Sequence, residues 1–128
     1  MDMKKEIIKK IGMVLLGIII FFAITVGYFV YQIEFKKTTI AEFVNSENHY
    51  IIKFQEIGEP FLFGPSKVIV VLEDESGKDI DEIKDYISND GSNLQKGNIS
   101  VVWTDTGVEI TLHGDEQEDK LHELQYQK

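Results

Sequence analysis

The sequence predicts a mostly β protein carried on one membrane-spanning helix, and three features of its 128 residues predict it. An uncharged run fills residues 11–33, the chain beyond it alternates apolar and polar residues with a period of two, and clusters rich in Gly, Asn and Asp punctuate that alternation. The expected architecture is an N-terminal transmembrane helix followed by a small antiparallel β-sandwich or open barrel of five to six strands. Only 95 residues follow residue 33, which is room for one domain with a small core.

Residues 1–10 read as a cytoplasmic N-terminus and 11–33 as the transmembrane helix. Those 23 residues, bracketed by Lys10 and Glu34, include fourteen of Ile, Leu, Val or Phe. At about 1.5 Å per residue they span roughly 34 Å, against about 30 Å of hydrocarbon. Tyr28 and Tyr31 suit the outer interface, where an aromatic ring with a polar tip is favoured. Lys4, Lys5, Lys9 and Lys10 on one flank outnumber Lys36 and Lys37 on the other, so the N-terminus is expected inside the cell and the rest outside the cytoplasm. The rival, a cleaved signal peptide, lacks a good Ala-x-Ala site around Ala23, Thr25 and Gly27. Ala23 and Gly27 form a small-xxx-small pair, the spacing that lets two membrane helices approach closely.

Residues 34–48 read as a linker. The capping-box spacing of Thr39 and Glu42 suggests that Ile40 to Val44 forms a short helix or continues the membrane helix. The β domain is expected over residues 49–128. Tyr50, Ile52 and Phe54 alternate with polar neighbours as in a half-buried strand, while Val68 to Leu72 is apolar on both faces, as in a central one. An acidic turn ending in Gly77 follows; Lys78 to Ile87 then fits a returning strand better than a short helix, and Ser88 to Gly97 is loop. Ile99, Val101 and Trp103 lead into Thr104-Asp105-Thr106-Gly107, and Val108, Ile110 and Leu112 lead away. This is a hairpin with Gly107 expected in the left-handed position of a bulged turn. His122, Leu124 and Tyr126 in the acidic tail fit a last edge strand.

Composition excludes several functions. Residues 34–128 hold nine Lys against twenty acids, a net −11 that repels phosphate backbones, so no nucleic-acid partner is expected. The absence of Cys removes disulfides, thiolate metal sites, cysteine nucleophiles and a lipid-modified Cys anchor. The absence of Arg and the leaning on Lys, Ile and Asn point to an AT-rich Gram-positive genome. Asp105-Thr106-Gly107 matches the tripeptide of aspartic proteases, but only 21 residues follow it and none supplies a second apolar-Gly strand. His113, Asp115, Glu116, Glu118, Asp119 and His122 are metal-ligating types at spacings that fit neither a zinc helix nor an EF-hand loop. No catalytic residue, metal site or cofactor is therefore assigned, and the chain is read as a non-enzyme.

Three segments resemble small membrane-anchored bacterial proteins, mainly from Firmicutes, that carry a domain of unknown function. They are Ser46-x-Asn48-x-Tyr50-x-Ile52-Lys53-Phe54, Val68 to Leu72 with its acidic Gly turn, and Asn98-Ile99-x-Val101-x-Trp103-x-Asp105 followed by Val108-x-Ile110. The resemblance covers roughly residues 46 to 114 and implies the layout, with no activity to carry over. The expected function is a membrane-anchored, non-catalytic envelope module that binds another protein or cell-wall material. Phe61, Leu62 and Phe63, between Pro60 and Pro65, are candidate contacts for a partner's groove or the lipid surface. The alternative is an immunity or regulatory protein acting on a membrane partner through the Ala23 and Gly27 face; an ectoenzyme ranks third.

Overall fold

A computed structural model describes residues 2–60 and 64–127. A long apolar helix leads into two antiparallel sheets, one of four strands and one of three, which face each other as an open sandwich and do not close into a barrel. The helix α1 (Met3–Val30) continues through one π-helical turn, Tyr31–Phe35, giving 33 residues that are long and apolar enough to cross a membrane. At about 1.5 Å per residue it exceeds the hydrocarbon thickness, so the Lys-bearing first turns extend beyond the uncharged run.

The π turn has a structural consequence. Lys36 N–H reaches back five residues to the Tyr31 carbonyl at 2.9 Å, and Lys36 itself is extended. A helix end leaves carbonyls unsatisfied. Here the Ile33 carbonyl accepts the Glu59 N–H at 2.8 Å, and the Lys36 carbonyl accepts the Gly58 N–H at 2.6 Å. Gly58 has φ 70°, and a Cβ there would collide with the Ile33 carbonyl oxygen, so only glycine fits. Lys67 Nζ to Glu34 at 2.8 Å adds an exposed ion pair across the same joint.

Beyond Lys36 the chain enters β1 (Lys37–Val44) at once, which corrects two expectations. Residues 40–44 are strand, not helix, and the β domain begins at Lys37 rather than after a linker ending at residue 48. A capping box offers only local hydrogen bonds. In the fold, the β2 backbone satisfies β1 along its length, and Ile40, Ala41 and Phe43 reach the core, with a bulge between Thr39 and Ala41. This strand raises the total among the described residues to seven, against the expected five to six.

Sheet one runs β1-β2-β3-β4 with β2 Ile51–Ile57, β3 Ser66–Glu73 and β4 Asp79–Ile87; sheet two runs β5-β6-β7 with β5 Ile99–Trp103, β6 Gly107–Leu112 and β7 Lys120–Gln125. Ile52 and Phe54 of β2 and Val68, Val70 and Leu72 of β3 pack against Val108, Ile110 and Leu112 of β6 and Leu124 of β7. As expected, β3 is buried on both faces, since Ile69 and Val71 are also covered. Leu94, in the loop before β5, adds a buried plug that alternation does not mark.

The sheets meet along β4 and β7 through side chains. The Gln125 N–H donates to Asp81 Oδ2 at 3.2 Å, and Asp85 accepts Lys120 Nζ at 3.2 Å and lies 2.6 Å from His122 Nε2. Across the other side, Lys96 Nζ lies 5.4 Å from the Phe43 ring centroid, a cation–π contact.

Candidate partner-recognition site

β1 starts at the helix joint, so its far end carries the 45–50 turn to the opposite pole of the domain. The 74–78 turn joins that pole through β2 and β3, and the 104–106 turn and residues 126–127 meet it through the ring of Tyr126. Asn45 Oδ1 accepts the Glu47 N–H at 2.8 Å and Asn48 Oδ1 the Tyr50 N–H at 3.1 Å; these Asx turns hold the first connection, with His49 in the left-handed region at φ 61°. In the second, Asp74 Oδ1 accepts from Ser76 Oγ at 2.6 Å and from the Ser76 and Lys78 N–H groups, both at 2.9 Å. The Ser76 hydroxyl foremost, then the Lys78 N–H, hold the Asp74 carboxyl below its ordinary value.

The Tyr50 and Tyr126 rings stack across this pole with centroids 4.4 Å apart and planes 14° from parallel. The Tyr126 hydroxyl donates to the Thr104 carbonyl at 3.4 Å and its oxygen accepts from Asn45 Nδ2 at 3.5 Å, so Tyr126 ties the 45–50 turn to the 104–106 turn. Two grooves flank it, of ≈ 540 Å³ beside Tyr50, Asp105 and Gln125 and ≈ 430 Å³ beside Asn48 and Trp103, sharing Asp105 and Tyr126 as a common wall. A third of ≈ 270 Å³ continues past Tyr50 to Glu75. These grooves are open, and polar side chains line them together with the aromatic rings.

The sequence-predicted contacts lie elsewhere. Phe61, Leu62 and Phe63 fall outside the described residues. Ala23 and Gly27 are both exposed on α1, with nothing within 4 Å of a Cβ placed on Gly27. Asp105-Thr106-Gly107 forms the β5–β6 turn, closed by Thr104 N–H to the Gly107 carbonyl at 2.9 Å. Gly107 is not left-handed as expected. It is required for space, because a Cβ there would collide with the Leu124 carbonyl oxygen of β7.

Among the described residues no group of three metal-ligating side chains converges. The acidic tail instead splits into two pairings: His122 goes to Asp85, and His113 lies with Nδ1 2.8 Å from Asp119 Oδ1 and Nε2 2.7 Å from Ser100 Oγ. Ser100, His113 and Asp119 thus have the connectivity of a catalytic triad. Ser100 lies on the edge strand β5, His113 just past β6 and Asp119 just before β7, with Ser100 exposed and the Asp119 side chain 63% exposed, so bulk water rather than fixed dipoles would surround a developing oxyanion. Their evident work is to hold the 113–119 loop against β5.

No family model matches the chain, and no curated protein or solved structure is significantly similar to it. The functional reading therefore rests on this molecule's own geometry.

Proposed function

We propose that the protein is a single-pass, non-catalytic recognition module of the cell envelope, with its N-terminus in the cytoplasm and its β domain outside, binding another protein or cell-wall material at the pole farthest from the membrane. The observation that carries this reading is the pairing of a rigid joint with a grooved far pole. The joint fastens β2 to the helix end by two backbone hydrogen bonds, and eight residues of β1 at about 3.3 Å each separate it from the Tyr50–Tyr126 pole by roughly 26 Å along the strand. With β1 along the membrane normal, that length would exceed the headgroup layer, about 5–8 Å on each side of the hydrocarbon. The Lys excess before the helix supports the orientation, and the acidic domain suits an environment away from anionic headgroups.

A photo-crosslinking residue placed at exposed Gln127 or at exposed Lys84 on the flank of sheet one tests this in intact cells. Position 127 is expected to give discrete adducts and position 84 none. Equal labelling at both, or none at either, overturns the reading.

A further inference from the structure

We propose that the far-pole groove binds a glycan of neutral or amino sugars; this deepens the recognition reading above and rests on it. A pyranose ring has an apolar C–H face and a rim of hydroxyls that donate and accept at once. It is recognised by an aromatic surface bordered by planar amides and a carboxylate. The pole offers that set: the stacked Tyr50 and Tyr126 rings, half-buried Trp103, and the exposed side chains of Gln125, Gln127 and Asp105. No described residue accepts from the Trp103 indole N–H, which leaves a donor at the groove wall.

Charge selects among polymers. Among the described residues the linings of the two larger grooves contain Glu47 and Asp105 and no Lys, which disfavours a phosphate- or carboxylate-rich chain. A polycationic peptide is the less favoured occupant. Such a ligand needs several carboxylates at close quarters, whereas the described linings of the two larger grooves carry only Glu47 and Asp105. Two grooves sharing one wall also suit successive units of a chain better than one compact molecule.

Trp103 is the single Trp of the sequence and reports on the groove directly. The full-length protein in detergent micelles is titrated with a β-1,4-linked N-acetylglucosamine tetrasaccharide and, separately, with an oligolysine peptide. The expected result is a saturable change in Trp103 emission with the saccharide, insensitive to salt, with affinity reduced about tenfold in Asp105→Asn and in Gln125→Ala. Both positions are exposed, so far-ultraviolet circular dichroism of the variants should match the parent. A response to oligolysine alone, suppressed by salt, overturns the glycan assignment. Silence with both probes while position 127 still crosslinks in cells overturns it too and leaves the recognition reading standing; silence with loss of crosslinking overturns both.

Discussion

Gly58 is where one hydrogen atom in place of a side chain decides the shape of the whole molecule. It turns at φ 70° directly under the Ile33 carbonyl. Gly58→Ala is expected to lower stability by about 1–3 kcal/mol in thermal melts and to free the backbone at the exposed Lys36 and Lys37 for cleavage by a Lys-specific protease. Gly58→Asn should rescue neither, because Asn tolerates the dihedral angle but not the collision. Glu56 makes a second residue-scale case. It is 4% exposed, burial raises its pKa from the ordinary 4.5, and the Leu94 N–H, 3.2 Å from Oε2, opposes that rise without cancelling it. A raised carboxyl means that the folded state holds the proton more tightly than the unfolded chain. Its stabilising effect is complete below about pH 4.5 and disappears as pH rises through the folded value. Glu56→Gln keeps an acceptor for Leu94, so its Tm should exceed the parent's at neutral pH and match it in acid. Neither role is written in the local sequence: Glu56 continues the inward face of Ile52 and Phe54 with a carboxyl in place of an apolar side chain, and only the fold brings the Leu94 loop over it.

At the scale of elements, the seam between β4 and β7 holds the two sheets in register. Burial would raise Asp85, but the Tyr86 N–H, His122 and Lys120 outweigh it, and the carboxyl lies below its ordinary 3.8. A depressed carboxyl stabilises the fold above its unfolded value and loses that effect as pH falls through the lower, folded one. Acid unfolding below about pH 4 is therefore expected to flatten in Asp85→Asn. Asp85→Ala removes the partner of His122 and one of the two partners of Lys120, which keeps the Tyr86 carbonyl, and should cost about 1–3 kcal/mol at neutral pH. For a domain of this size that is a fall in Tm of about 4–8 °C per kcal/mol, read by calorimetry. Strands with clear alternation, β2, β5 and β6, were legible from residue pattern alone, as was β3 from its unbroken apolar run. β1 was not, because Lys37, Thr38 and Thr39 carry no apolar period and the Thr39 and Glu42 spacing imitates a helix start.

For the molecule as a whole, the joint at residues 33–36 separates two functional readings. Replacing residues 11–30 with an unrelated apolar helix keeps the π turn and Gly58 contacts, and crosslinking from position 127 should persist. Its loss would favour a partner bound in the bilayer through the Ala23 and Gly27 face. Inserting a flexible Gly/Ser stretch between Phe35 and Lys36 should have the opposite effect. The helix would remain, the domain would no longer stand at a fixed height, and crosslinking efficiency should fall.

By itself the sequence determined the long apolar helix, the mostly β remainder and the acidic balance, because hydrophobic run length, period-two alternation and charge are local or additive properties. Tertiary structure alone decided where the connections meet. Tyr50 and Tyr126 lie 76 residues apart, and neither is distinguished from an ordinary strand-end aromatic until the sandwich stacks them. The candidate site consists of such long-range encounters, in which each side chain's position is set by pairing and packing elsewhere, so no window of the chain could display it.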